Sequence, residues 1–138
     1  MMKLKGLILG SLVLLAAAGR AEGPNIVILL ADDAGLTDFG SYGGEARTPN
    51  IDALAQRGTR FTQFRASPQC APSRAMLLTG MDNHRAGLGA IPEVLPPSHE
   101  GQPGYTMHLE EGVETLALRL KREGYRTYMT GKWHLGHG

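Results

Sequence analysis

Apolar residues along this chain form short continuous runs that alternate with segments of helical periodicity. One run, "IVILLA" at residues 26–31, is rich in Ile and Val and lies between Gly-Pro and Asp-Asp. Such a run is typical of a strand that is buried on both faces of a parallel sheet. β-branched and aromatic residues predict two further strands, "TRFTQFRA" at 59–66 and "YRTYMTG" at 125–131.

Helices are predicted between these runs. In "TPNIDALAQRG", Thr48 is placed to be the N-cap, Pro49 to be the first helical residue and Gly58 to end the helix. In "CAPSRAMLLTG" the helical character places Cys70 at or next to an N-cap. A third helix is predicted within residues 113–124, which carry one apolar stripe and end in Gly.

Strands that alternate with helices predict an α/β fold with a parallel sheet. Residues 81–112 are too rich in Pro and Gly to form a regular element. Connections of this length are usually functional or mobile. We therefore expect this segment to lie at the rim of the functional site, whose candidate residues are given below.

The N-terminus predicts export. A basic head, "MMKLK", precedes an apolar run and small residues suited to cleavage after Ala18 or Ala21. The run is too short to span a bilayer; a membrane anchor or a buried strand is the alternative. We expect residues 1–21 to be a signal peptide read by Sec-type export machinery. Residues 22–138 would then be periplasmic or secreted, without a stable membrane anchor.

Composition and charge indicate which classes of binding partner to expect. Nineteen Gly and eight Pro are about a fifth of the 138 residues, which is below the level of low complexity. The net charge is +1, and the basic run "LRLKREGYR" is better explained as a solvated helix face, so no nucleic-acid partner is expected. A single cysteine cannot form an internal disulfide. The ordinary roles of a lone cysteine are a small buried residue or a thiol that pairs with a cysteine of another molecule.

Chemically active side chains fall where the carboxyl edge of the predicted sheet would lie, and that edge lines the ligand crevice in open α/β sheets. They are three pairs: Asp32 and Asp33, Cys70 and Arg74, and Lys132 and His134.

Adjacent carboxylates such as Asp32 and Asp33 repel each other unless a positive group lies between them. A hard divalent cation with oxygen ligands is one such group, and an Asx-type turn that caps a helix is the alternative.

The start of a helix favours negative charge at Cys70, and Arg74 lies one helical turn further on. Together with Lys132 and His134, these groups predict attack on a tetrahedral oxyanion ester. A soft thiolate is nevertheless a poor ligand for a hard cation. The difficulty disappears if Cys70 is the precursor of the working group.

Four segments, in order, resemble the type I, formylglycine-dependent sulfatases of the alkaline phosphatase superfamily. "CAPSR" followed by "AMLLTG" resembles the C-x-P-x-R segment of that family. "PNIVILLADDAG", "TPNIDALAQRG" and "GYRTYMTGKWHLG" resemble its other N-terminal blocks, and "LLTGMDNHRAGLG" is most similar to the bacterial arylsulfatases. The resemblance covers residues 24–136. It implies that residues 22–138 are the N-terminal portion of a sulfatase catalytic domain, with an α/β fold in which this chain forms the N-terminal part of a large, mostly parallel sheet flanked by helices.

The resemblance implies a role for each candidate residue. A maturation enzyme would oxidise Cys70 to Cα-formylglycine, whose hydrated gem-diol attacks sulfur with one hydroxyl and later expels sulfate with the other. Asp32, Asp33 and the oxidised Cys70 would be ligands of one Ca²⁺. Arg74 would hold the diol, Lys132 would bridge the diol and the sulfate ester, and His134 would hydrogen-bond the second hydroxyl. No family role transfers to His84 or His108.

Two departures leave alternatives open. Sulfatases run to several hundred residues, and further calcium ligands, a leaving-group acid and a second sulfate-binding lysine lie later in the family's sequence. We therefore expect residues 1–138 alone to be inactive. A catalytically silent truncated product is one alternative, and a phosphodiester or phosphonate monoester hydrolase of the same superfamily is the other.

Overall fold

All three predicted helices are present in the computed structural model, which describes residues 23–136. They are α1 (Pro49–Arg57), α2 (Cys70–Thr79) and α3 (Leu116–Arg122). Short 3₁₀ helices lie at Leu36–Asp38, Gly40–Tyr42, Pro92–Val94 and Pro97–His99. The chain divides after Leu30 into two units. The predicted signal peptide lies outside the described residues, among which no helix is long and apolar enough to cross a membrane.

Helix α1 has the predicted ends, with Thr48 at the N-cap and Pro49 as its first residue. The Thr48 hydroxyl does not cap the helix. It accepts a hydrogen bond from the Gly40 N–H at 2.9 Å and donates one to the Asp52 carboxylate at 2.8 Å. The cap residue therefore ties the preceding loop to the first turn of α1.

Helix α2 begins at Cys70 itself, with Gln69 as the N-cap. The Ser73 hydroxyl donates to the Ser67 carbonyl at 2.8 Å, which holds the entering chain against the first turn. The helix ends at Gly80, whose φ of 67° is in the left-handed region that glycine adopts without cost. The prediction that Cys70 lies at a helix entry is confirmed.

Helix α3 begins at Leu116, three residues after the first apolar residue of the predicted stripe, Val113. Thr115 explains the difference, because its hydroxyl accepts a hydrogen bond from the Leu118 N–H at 3.2 Å and so fixes the N-cap there.

The predicted sheet is not confirmed, because residues 23–136 contain no β-strand. A strand exists only where its N–H and C=O groups pair with a neighbouring strand. The segments 26–31, 59–66 and 125–131 have the composition of strands, yet the described residues give them no such pairing. Their apolar side chains stay exposed, and Leu29 retains 85% of its surface and Tyr128 86%.

A small core lies under α2. Its buried members are Ala71, Ala75, Ala86, Leu88 and Leu135, with Leu78, Ile91 and Leu109 packed against them. Four of these eight residues, Ala86, Leu88, Ile91 and Leu109, come from segment 81–112, which was expected to rim the site. Residues 83–91 wind back onto α2 and form much of the core, a packing role that the sequence did not predict.

Close backbone approach explains this winding. The Leu88 N–H donates to the Asn83 carbonyl at 2.8 Å, and the buried Asn83 amide donates back to the Leu88 carbonyl at 3.1 Å. A Cβ on Gly87 would lie 2.3 Å from the His108 carbonyl oxygen. The small residues of "AGLGA" therefore permit a packed, non-helical segment.

Leu88→Ala should lower the free energy of unfolding of this chain by about 2–5 kcal/mol, because a fully buried leucine leaves a cavity when it is truncated. Leu54→Ala, at a side chain that is 57% exposed, is the control and should cost less than about 1 kcal/mol. Urea denaturation measures both. Equal losses in the two variants would contradict the assignment of the core.

Candidate active site

The N-terminal turn of α2 places Cys70 beside a histidine that is 64 residues away in sequence. The Cys70 Sγ lies 3.3 Å from Nδ1 of His134, and both groups are partly buried. The sequence predicted that these two residues would share the carboxyl edge of a sheet. The structure brings them together without a sheet, through packing of the turn at residues 131–135 against α2.

Lys132 joins the same cluster from the other side. Its Nζ lies 3.2 Å from Oδ2 and 3.4 Å from Oδ1 of Asp32. The hydrogen bond to the Asp32 carboxylate raises the pKa of Lys132 above its ordinary value, opposed by some desolvation and helped by the nearby Cys70 thiol. The ammonium therefore lies between a carboxylate and the sulfur.

Arg74 contacts the backbone of the turn. Its Nε donates to the Trp133 carbonyl at 2.7 Å, and its Nη2 donates to the Lys132 carbonyl. These two carbonyls lie between the side chains of Lys132 and His134, so one guanidinium fixes both with respect to α2. The five residues Asp32, Cys70, Arg74, Lys132 and His134 are called the site cluster below.

Two of the residues that the sequence predicted for the site have backbones in the left-handed region. Asp33 has φ of 54° and His134 has φ of 56°. Such conformations cost about 1–3 kcal/mol for residues other than glycine, and they occur frequently at functional sites. At His134 the neighbours hold the conformation in place, because Arg74 binds the preceding carbonyl and the following Leu135 is only 2% exposed.

The predicted metal ligands do not form a metal centre by themselves. Among residues 23–136 there is no group of three or more His, Cys, Asp or Glu side chains that could hold an ion. The Asp32 carboxylate contacts an ammonium, Asp33 is exposed, and the Cys70 sulfur is a soft donor. A calcium site does not fit these residues as they stand.

Sequence reasoning missed Glu93 and the carbonyl of Trp133. Glu93 belongs to segment 81–112, and its Oε1 lies 3.9 Å from Nε2 of His134. This part of the segment does reach the site. No periodicity or motif marks a single glutamate in "IPEVLPP", and a backbone acceptor leaves no signal in side-chain identity.

Comparison with known proteins identifies the family of this chain. Residues 24–138 match the family model of the sulfatases. The chain belongs to the sulfatase family. The resemblance drawn from its motifs is confirmed, and with it the alkaline phosphatase superfamily.

Similar sulfatases come from distant organisms. An arylsulfatase of Klebsiella aerogenes is 46% identical over 121 residues, which cover 88% of this chain and 26% of that protein. Arylsulfatase A of Homo sapiens is 48% identical over 132 residues, covering 93% and 24%. Steryl-sulfatase of Rattus norvegicus is 41% identical over 138 residues, covering 96% and 23%. The chain spans about a quarter of the length of these curated relatives.

Arg74→Met should lower the free energy of unfolding of this sulfatase chain by about 1–2 kcal/mol, because two charged hydrogen bonds to carbonyls are lost. Arg57→Met is the matched control, since Arg57 donates only to the Ala53 carbonyl on the exposed surface of α1. The control should cost about 0.5 kcal/mol or less in urea denaturation. A loss in Arg74→Met no greater than in Arg57→Met would show that the turn is held by other contacts.

The Lys132–Asp32 pair should make stability fall at alkaline pH. The folded-state pKa of Lys132 lies above its ordinary value of 10.5, so the pair stabilises the fold fully below that value. The contribution is lost as pH rises through the raised folded-state value. Wild type should therefore lose more stability than Lys132→Met above pH 10.5. The free energy of unfolding is measured for both proteins at each pH. An equal loss in wild type and Lys132→Met across that range would exclude the pair as a stabilising contact.

Proposed function

We propose that this chain carries the nucleophile-bearing part of an exported sulfuric ester hydrolase of the arylsulfatase type. The observation that carries the proposal is the 3.3 Å approach of Cys70 Sγ to His134 Nδ1 at the first turn of α2. The Lys132 side chain lies near the Cys70 thiol. Relatives with similar sequences are named arylsulfatase and steryl-sulfatase, which supports a sulfate ester as the substrate.

Residue 70 acts in its oxidised form. A maturation enzyme with an external two-electron oxidant converts the Cys70 thiol to the aldehyde of Cα-formylglycine, with release of the sulfur as sulfide. The hydrated aldehyde then supplies a hydroxyl nucleophile. Oxygen suits the position, because the start of α2 and the Lys132 ammonium both stabilise negative charge there.

His134 and Lys132 have different roles, one in proton transfer and the other in stabilising charge. Nδ1 of His134 is placed to accept a hydroxyl proton from residue 70 and to return it later. The Lys132 ammonium lies where charge grows on the sulfate oxygens. Arg74 keeps both side chains in place through the backbone of the turn, and it would also hold the hydroxyl groups of residue 70.

We also propose one Ca²⁺ in the whole protein, bound by Asp32, Asp33 and the oxygen of oxidised residue 70. Calcium takes six to eight oxygen ligands, and the described residues supply only part of that number. The ion would add positive charge near the reacting sulfate. Asp32 would have to exchange its contact with Lys132 for one with the ion.

For the fold, we propose that residues 26–31, 59–66 and 125–131 are strands of a mostly parallel sheet in the whole protein. Exposed apolar side chains support this, since Val27 retains 78% of its surface and Phe64 77%. The five consecutive large apolar residues 26–30 each keep 49% or more of their surface exposed. Such a continuous exposed apolar run is unusual unless another element covers it. Residues 1–21 would be the signal peptide that directs export.

Modification of Cys70 is tested by mass. Expression in cells with the maturation enzyme should change the intact mass by loss of SH₂ and gain of O, and the fragment should react with a hydrazide at residue 70. Cys70→Ser supplies the matched chain without a thiol. An unmodified Cys70 under these conditions would contradict the proposal.

Activity is tested on the whole protein with an aryl sulfate and a matched aryl phosphate diester. The sulfate should be hydrolysed faster, and His134→Ala should lower kcat by about 10²–10⁴-fold, the usual contribution of a positioned acid or base. His84→Ala is the control, because that exposed ring lies against Tyr105 outside the site cluster. Faster hydrolysis of the diester would favour a phosphodiester or phosphonate monoester hydrolase of the same superfamily.

A further inference from the structure

Both ring nitrogens of His134 face a polar group. Nδ1 lies 3.3 Å from the Cys70 sulfur, and Nε2 lies 3.9 Å from Oε1 of Glu93. The imidazole is mostly enclosed, with 21% of its side chain exposed. The carboxylate therefore stands behind the histidine, on the side away from residue 70.

His134 and Glu93 both lie on backbone segments that pack against the same core. His134 directly precedes Leu135, a core residue that is 2% exposed. Glu93 lies in the 3₁₀ helix Pro92–Val94, whose N-cap Ile91 packs against that core. The Val94 N–H donates to the Ile91 carbonyl at 3.2 Å and closes the turn. The backbones on the two sides of the contact are thus fixed relative to each other.

We propose that Glu93 is a positioning residue that holds His134 with its proton on Nε2 and its free Nδ1 lone pair toward residue 70. The proposal deepens the function given above and rests on it, because it assigns His134 the task of accepting a proton at residue 70.

The chemistry of imidazole supports this role. The neutral ring carries one proton, and the hydrogen-bonding partner of one nitrogen decides which nitrogen bears it. A carboxylate facing Nε2 favours the N–H there and leaves Nδ1 as an acceptor. The distance of 3.9 Å is longer than a hydrogen bond. Glu93 is 65% exposed, so its side chain is free to rotate and shorten the contact.

The direct test is the tautomer of His134 in the full chain, read from ¹⁵N chemical shifts of the imidazole where the ring is neutral. The Nε2–H form should predominate in wild type and fall at least twofold relative to Nδ1–H in Glu93→Gln and Glu93→Ala. Glu100→Gln, at another exposed carboxylate of the same segment, should leave the ratio unchanged. His134→Gln identifies the signal. A predominant Nδ1–H form in wild type, or one ratio in all variants, would overturn the proposal.

Kinetics on the whole protein separate this inference from the proposed function. Glu93→Gln should lower kcat by about 10-fold with KM unchanged, as expected for the partner that orients a working histidine. Glu93→Asp should recover part of the loss. If the Glu93 variants match wild type while His134→Ala is impaired, the positioning role is wrong and the hydrolase stands. If no sulfate ester is hydrolysed, the tautomer measurement still decides the structural claim.

Discussion

Two hydrogen bonds from one guanidinium determine where the reactive groups lie. Arg74 is four residues after Cys70 on α2, and it binds the carbonyls of Lys132 and Trp133. Because those carbonyls immediately precede His134, the same contact sets the distance from the imidazole to the sulfur. Arginine suits this task, since its planar fork offers parallel donors that lysine lacks. Without these bonds, the polar links between α2 and the turn would be reduced to the contacts of the Cys70 sulfur with His134 and Lys132.

The core beneath this contact is small, and its composition explains the close approach. Ala71 and Ala75 of α2 are fully enclosed and belong to the same core cluster as Leu135 of the turn. Alanines allow Leu88 and Leu135 to pack against the helix backbone, which brings the turn within hydrogen-bond distance of Arg74. A bulkier residue at position 75 would separate the two and lengthen the distance between Cys70 and His134.

Sequence alone predicted the parts that depend on local chemistry. The ends of α1 and the place of Cys70 at a helix entry follow from caps, glycines and short motifs. The meeting of His134 with Cys70 was predicted from a shared sheet edge, which the described residues do not contain. Long-range contacts were not predictable in the same way. The core formed by Ala86 and Leu88 comes from a segment without periodicity, and Glu93 has no motif. The predicted strands need partners in space, so composition alone does not establish the sheet.

The surroundings of residue 70 suit an oxygen better than a sulfur. A thiol is a weak donor and acceptor, whereas the groups around it, an ammonium and an imidazole nitrogen, form their strongest hydrogen bonds with oxygen. Asp32 neutralises the ammonium without removing it from Cys70. These groups form weak hydrogen bonds with a thiol and stronger ones with a hydroxyl. An unpaired cysteine at this position is therefore more easily understood as the starting material of an oxygen nucleophile than as the nucleophile itself.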